Sequence, residues 1–253
     1  MTWVVVLVSA LAVVVMMAAT AAWARSSDRW AVVDTTWGLG FGVIAVLAAL
    51  VGDGDVLRRV LLLALPAIWA GRLASHIIGR AKGQGEDPRY QKLRDEGNGL
   101  VRRVLLPQGV AMFVVSLPIQ IGVGSDRDVT WLAWAGVVVW AVGLAFETVG
   151  DRQLAAFKAD PDNKGKVMDK GLWGWTRHPN YFGDATMWWG VWIVAADSGW
   201  AGVATIVGPL AMTYFIRNVT GAKLLEQTMS RREGWDDYAR RTNLFFPMPP
   251  RRG

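Results

Sequence analysis

The sequence predicts an all-α integral membrane protein: one bundle of seven transmembrane helices, N-terminus outside, C-terminus in the cytoplasm. Three observations predict it. The 253 residues are 53% hydrophobic and only 19% charged, an apolar excess that suits a lipid environment. Seven apolar runs approach the length of about 20 residues that a helix needs to cross a bilayer. Lys and Arg collect in alternate connections, which is how orientation is written into a membrane chain. Fifteen tryptophans against four tyrosines fit the same picture, because Trp collects at membrane interfaces.

The runs are 3–24, 31–51, 57–79, 104–123, 129–149, 181–197 and 200–219. The first ends in "ATAAWARSS", which is similar to a signal-peptide cleavage site. It lacks a basic leader and is long for a cleaved segment, so it is read as a retained span. The sixth and seventh are separated only by "DSG" and should form a tight helical hairpin. Segments 25–29, 80–103, 150–180 and 217–253 hold two, seven, six and eight basic residues, 23 of the 27. The alternate connections hold only Arg58, Arg59 and Arg127. Seven spans put all four rich segments on one face, which the positive-inside rule makes cytoplasmic. The cell membrane is the expected location.

Several classes of function drop out. With no cysteine there is no disulfide, thiolate nucleophile or Cys-ligated zinc. The only histidines are His76 and His178, too few for an ordinary metal site. The net charge of +6 is used for orientation, so nucleic acid is not the expected partner. No Walker motif or Ser-His-Asp arrangement occurs. "GRAKGQGEDPRY" contains Gly83-x-Gly85, but it follows a membrane helix and carries Glu86 and Asp87, which would repel phosphate. It reads as a capped cytoplasmic loop, either folding over a site or simply turning the chain. No repeat or long linker divides the chain, so 1–253 is expected to be one domain.

Ionisable side chains at membrane depth are costly and usually face a cavity or a partner. Asp34 opens the second span in "VVDTTWGLGFG"; Arg72 and His76 share a helix face in the third. Glu147 and Asp151 repeat that spacing near the cytoplasmic end of the fifth, as do Asn180 and Asp184 at the start of the sixth. Such residues either tie helices together or line a polar, cytoplasm-facing site.

"GLWGWTRHPNYFGDATMWWG", residues 171–190, is the densest of these places. Pro179 suits the first turn of a helix, so the sixth span should start there with its positive dipole end toward the cytoplasm. Such an end attracts anions, phosphate above all. Arg177 and His178 add donors, and Arg can grip a phosphate with two nitrogens. Asn180 and Asp184 suit a ribose hydroxyl or a carboxamide. The alternative is an Arg177 that only snorkels to lipid headgroups.

"TRHPNYFGD" followed by "WWG" resembles the integral-membrane reductase group of steroid 5α-reductases, Δ14- and Δ7-sterol reductases and bacterial relatives of unassigned function. "GLAFETVGDRQLAAFK" and the tail "LLEQTMSRREGWDDYARRTNLFFPMPP" are similar to that group in order and spacing; "VDTTWG" and "GEDPRY" resemble the bacterial branch. The resemblance implies a seven-helix protein that takes NADPH, with NADH as the alternative, from the cytoplasm and reduces a carbon–carbon double bond in a lipid. The lipid would be sterol-, polyprenyl- or fatty-acyl-like. It implies cofactor contacts at Glu147, Asp151, Lys158, Arg177, His178, Asn180, Tyr181 and Asp184, with Arg217, Lys223, Glu226 and Tyr238 closing from the tail. Residues 1–123 would form mainly the substrate cavity and 124–253 the cofactor half.

One departure matters. Steroid 5α-reductases pair a carboxylate in the second span with a tyrosine in the third; Asp34 could fill the first role, but Trp69 stands at the place of the second. Asp34, Arg72 and His76 are the remaining catalytic candidates. The second reading is an S-adenosylmethionine-dependent membrane lipid methyltransferase, since isoprenylcysteine and phospholipid methyltransferases share an Arg-His-Pro-x-Tyr-x-Gly stretch. The third is a lipid-binding or transport protein without catalysis.

The basic asymmetry is directly testable. A phosphatase that works only outside the cytoplasm, fused to the C-terminus, is expected to be silent; full activity would invert the orientation.

Overall fold

The computed structural model describes residues 2–81, 85–97 and 99–251. Among these residues the regular structure is helical, with two isolated β-bridges, Lys166 with Glu233 and Thr176 with Asn243. The helices are α1 Thr2–Ser26, α2 Val32–Val51, α3 Val56–Ala81, α4 Pro88–Asp95, α5 Leu106–Val115, α6 Leu117–Gly122, α7 Trp131–Ala159, α8 Pro179–Ala196, α9 Trp200–Ala204, α10 Val207–Tyr214, α11 Ala222–Met229 and α12 Trp235–Arg241. Lys82, Gly83 and Gln84, which include the Gly83-x-Gly85 start, lie outside the described residues.

Among the described residues, five stretches are long and apolar enough to cross a membrane: Thr2–Ser26, Val32–Val51, Val56–Arg80, Val101–Gly122 and Trp131–Ala159. Their exposed apolar side chains follow helical stripes, as Trp3, Leu7, Leu11 and Val14 do along α1. Such stripes are expected of helices facing lipid. The protein is therefore of the multi-pass membrane type.

Three expected boundaries change. The fifth run was expected to stop at 149, but α7 continues to Ala159. Charge ends the membrane-compatible part, while "GDRQLAAFK" still favours helix and extends it. The seventh run, 200–219, is not one helix: it breaks into α9, α10 and a π-turn over Phe215–Val219. Pro209, with no N–H to give, lies in the first turn of α10, where it starts a helix rather than continuing one. The fourth run is likewise a π-turn at Val101–Leu105 followed by α5 and α6, interrupted at Ser116 just before Pro118. The "DSG" turn does join α8 to α9, with Gly199 at φ 104°, a conformation glycine adopts cheaply.

The chain forms two compact units, Met1–Ala135 with Val191–Gly208, and Gly136–Gly190 with Pro209–Gly253. In the first, α2 packs along α3; Phe41, Ile44, Ala45 and Ala48 are buried, as are Leu62, Leu65 and Trp69, and Phe41 meets Trp69 edge to face at 5.7 Å. Asp55 caps α3 by accepting from the Arg58 N–H at 2.8 Å. The fully buried Arg58 guanidinium donates to Asp197 Oδ2 at 2.8 Å and to the carbonyl of Arg127 at 2.6 Å. Asp197 also accepts from the N–H and hydroxyl of Thr130. These extra hydrogen bonds offset the cost of taking the ion pair out of water.

The second unit is governed by glycine. Gly136, Gly143 and Gly150 recur every seven residues on α7, and Gly183 and Gly190 do so on α8. The helices run antiparallel with these positions in contact. A Cβ at Gly143 would lie 2.6 Å from the Gly183 carbonyl oxygen, and one at Gly190 would lie 2.5 Å from the Trp140 nitrogen. The nearest atoms are backbone, which cannot rotate aside. Small residues let membrane helices approach this closely.

Gly183→Ala is expected to cost about 1–3 kcal/mol, the range for overpacking, and Gly183→Val more. Gly79→Ala on α3, where a Cβ would meet nothing within 4 Å, is the neutral control. Thermal unfolding in detergent compares them; equal melting points would remove the glycine contact as a constraint.

Candidate functional site

In the second unit, the α7–α8 contact places two polar rows side by side. Glu147 and Asp151 are buried on α7, and Asp184 is buried on α8. Asn180 Nδ2 donates to Asp151 Oδ1 at 3.0 Å, and its Oδ1 accepts from the Tyr181 N–H. Lys158 lies on the same helix as Glu147 and Asp151, in the exposed last turn of α7. The connection from α7 to α8 is pinned back on α7: Leu172 N–H bonds Gln153 Oε1, and Trp173 Nε1 bonds the Gly150 carbonyl.

Pro179 begins α8, as its chemistry predicts. Immediately before it, Arg177 and His178 turn inward. The Arg177 side chain is 13% exposed and that of His178 1%. Glu226 of α11 takes both: its Oε1 is 3.0 Å from Arg177 Nε and 3.3 Å from His178 Nε2. Arg177 also lies over the Trp235 ring at 5.6 Å, and its Nη1 donates to the Ala239 carbonyl. A guanidinium so enclosed does not snorkel, so that reading of Arg177 is withdrawn. His178 stacks on Tyr181 with ring centroids 5.6 Å apart.

The tail closes this end. Arg177 N–H bonds the Asn243 carbonyl at 2.9 Å, and the Thr176 hydroxyl donates to the Phe245 carbonyl. Tyr238 is buried, and its hydroxyl donates to the Trp173 carbonyl at 2.7 Å; burial holds its ionisation above the usual range. Arg217 belongs to the Phe215–Val219 π-turn, and its Nε is buried with no hydrogen-bond partner among the described residues. π-turns inside helices are frequent at functional sites. Lys223 is exposed on α11.

In the first unit, Asp34 sits in the first turn of α2. Tyr90 donates its hydroxyl to Asp34 Oδ1 at 2.5 Å, and Arg89 reaches Oδ2 at 2.9 Å. Both come from α4, which Asp87 caps by accepting from the Arg89 N–H, with Pro88 following as the first helical residue. Glu86 accepts from the backbone N–H groups of Trp30 and Ala31, and Arg94 pairs with Asp28 at 2.5 Å. The "GEDPRY" segment is thus a strap tied to the start of α2. Arg72 and His76 lie one turn apart on α3, with contacts of their own. Trp69 is buried on the same helix.

Sequence reasoning missed Arg89 and Tyr90 as partners of Asp34. The sequence signals only the helix: Asp-Pro announces its start, and Arg-Tyr follows within its first turn. Burial works to raise Asp87, but hydrogen bonds from Arg89 and its charge win and hold the carboxyl below its ordinary value. Tyr90 is pushed above the usual phenol range by burial and by the nearby Asp34 charge.

Residues 20–242 match the family described as "Protein of unknown function (DUF1295)". The chain belongs to that family. It is also similar to the probable O-methyltransferase ustE of Ustilaginoidea virens, 46% identical over 46 residues, which is 18% of this chain and 16% of that protein. The match thus spans about one-sixth of that curated relative's length. No solved structure matches.

The strap gives this DUF1295 chain a testable acid response. A carboxyl held below its unfolded value stabilises the fold above that unfolded value, near 4, and stops doing so as pH falls through the lowered one. Hydrogen-exchange protection of residues 88–95, corrected for intrinsic rates, is expected to be level from pH 7 to about 5 and to fall below about 4. Tyr90→Phe should lower it by about 1 kcal/mol throughout. Unchanged protection in Tyr90→Phe would show that the bond to Asp34 does not hold the strap.

Proposed function

We propose that this chain is an NAD(P)H-dependent reductase of a carbon–carbon double bond in a hydrophobic lipid, working in the cell membrane. In this reading it has seven membrane spans, an outside N-terminus and a cytoplasmic C-terminus. The observation that supports it is the arrangement at the start of α8. Carboxylates and an amide from Glu147, Asp151, Asn180 and Asp184 lie on facing helices, followed at once by the inward-turned Arg177 guanidinium and His178 imidazole. A dinucleotide needs such an order: acceptors for ribose hydroxyls and a carboxamide, then cationic donors for phosphate.

The residues fit that group on one further count. Arg217, on the π-turn before α11, keeps a buried Nε without a hydrogen-bond partner among the described residues, as several other arginines do, and so has a donor left to give. NADPH would be held by Glu147, Asp151, Lys158, Arg177, His178, Asn180, Tyr181, Asp184, Arg217 and Lys223; Glu226 would guard the Arg177-His178 end, and Tyr238 would act by fixing the loop at Trp173. NADH is the alternative. A bound reduced nicotinamide would supply a hydride.

The protein's own part at the lipid end falls to Asp34, Arg72 and His76, now joined by Tyr90. In this reading Tyr90, from α4, gives Asp34 the phenol partner that α3 lacks. Its raised ionisation keeps the O–H intact at neutral pH, and by turning that single hydrogen from Asp34 to a substrate oxygen Tyr90 would stabilise negative charge developing there. Arg89 and Tyr90 hold the two carboxylate oxygens of Asp34, which in this reading makes Asp34 an orienting group.

The 46-residue likeness to a probable O-methyltransferase favours a second reading, S-adenosylmethionine-dependent methylation of a membrane lipid. That cofactor has no phosphate, but its carboxylate could take the same Arg177-His178 pair, so the ligand bound separates the two readings and the pair alone does not.

Purified protein in detergent is expected to gain thermal stability with NADPH, less or none with S-adenosylmethionine, because only a ligand of the native state stabilises it. Arg177→Ala should weaken NADPH binding by about 1.5–3 kcal/mol, the range for hydrogen bonds to charged groups. Arg177→Lys should recover only part. A response to S-adenosylmethionine alone would establish the second reading.

A further inference from the structure

The strongest local charge arrangement in the second unit is satisfied by the protein itself. Arg177 and His178 stand at the N-terminus of the 18-residue α8, a place that favours negative charge. The anion there is Glu226, and a single carboxylate oxygen serves both side chains, at 3.0 and 3.3 Å. Arg177 is also anchored independently of Glu226, by the Trp235 ring and the Ala239 carbonyl. Glu226 could therefore leave without Arg177 collapsing.

Glu226 rides on a segment with a jointed base. α11 follows the π-turn Phe215–Val219 and then Gly221, at φ −114° and ψ −111°. A Cβ on Gly221 would collide with the Ile216 carbonyl and come within 3.1 Å of the Tyr181 ring. Only glycine fits this joint, which lies against the ring stacked on His178. Lys223 and Gln227 are exposed on the same helix.

We infer that Glu226 is an internal anion that occupies the Arg177-His178 site and is displaced by a ligand phosphate, so that α11 is a latch opened by phosphate-bearing ligands. This deepens the nucleotide reading above and rests on it for the ligand's class. The chemistry is exchange of one anion for another. A carboxylate oxygen touching both side chains gives way to a phosphate, which brings more oxygens and more charge and can grip the guanidinium with two of them. The tail's docked state and the phosphate then compete, and each weakens the other by the same factor.

The probe is inorganic pyrophosphate, titrated by calorimetry into the full chain in detergent. Glu226→Gln keeps the shape and removes the competing charge. It is expected to bind pyrophosphate about fivefold tighter or better, a factor equivalent to about 1 kcal/mol. Unchanged or weaker binding in folded Glu226→Gln would overturn the latch and make Glu226 a direct ligand contact. Should that variant not fold, the wild-type chain carries the test. Pyrophosphate should speed tryptic cleavage at Lys223, Arg231 and Arg232, and an unchanged rate would overturn the proposal. Tightened pyrophosphate binding without any response to NADPH or NADH keeps the latch and removes the nucleotide reading. NADPH binding with pyrophosphate affinity unmoved does the reverse.

Discussion

The candidate site depends on one packing contact, the backbone-to-backbone approach of α7 and α8. Glycines at intervals of seven residues on both helices leave carbonyls and amides of one against those of the other. A seven-residue interval keeps a small-residue stripe nearly in line along a helix, with a drift of only about 20° per repeat. The polar rows ride on the edges of that stripe. Asp151 reaches Asn180 at 3.0 Å because Gly150 admits the first turn of α8, with Pro179 and Asn180 beside it. Glu147 stands where Gly183 passes. Side chains large enough to push the helices apart would separate the carboxylates from the amide, so the polar site and the packing are one constraint.

Electrostatics then decide what the buried polar groups do. Burying a guanidinium and an imidazole is costly unless each is paired. At the start of α8 the pairing comes from a carboxylate on a separate short helix, whose approach runs through a π-turn and a glycine joint. By contrast, the Arg58–Asp197 pair in the first unit has backbone carbonyls on both Nη atoms and a threonine on the carboxylate, an arrangement suited to permanence. The Asp34 cluster is intermediate. Its partners come from one strap, which is fastened by Glu86 to backbone N–H groups and by Arg94 to Asp28.

Much of this was legible in the sequence. Apolar runs and breakers gave the first five long helical stretches, and Pro179 gave the start of α8, because both follow from local chemistry. The end of α7 was misjudged because charge marks where a membrane stops, not where a helix does. The break-up of 200–219 was missed because its composition is apolar throughout while its backbone is set by tertiary contacts; a Cβ at Gly208 would meet the Val115 carbonyl and Pro118 at 2.9 Å. The glycine interval was there to be counted, but its meaning required knowing that α7 and α8 face each other. Tyr90 could not be assigned to Asp34 from spacing, since 56 residues separate them. The sequence reads Arg177 and His178 as an anion site for a ligand, and the anion they meet in the structure is the protein's own Glu226, which no local pattern links to them.

Hydrogen exchange with and without NADPH, on the purified full chain in detergent, tests the account most directly. The account predicts new protection at 147–158 and 177–186, where the polar rows lie, together with lowered protection at 222–229 as Glu226 gives up its place. Protection absent from both polar segments at saturating NADPH would contradict it, as would the same protection produced by S-adenosylmethionine alone.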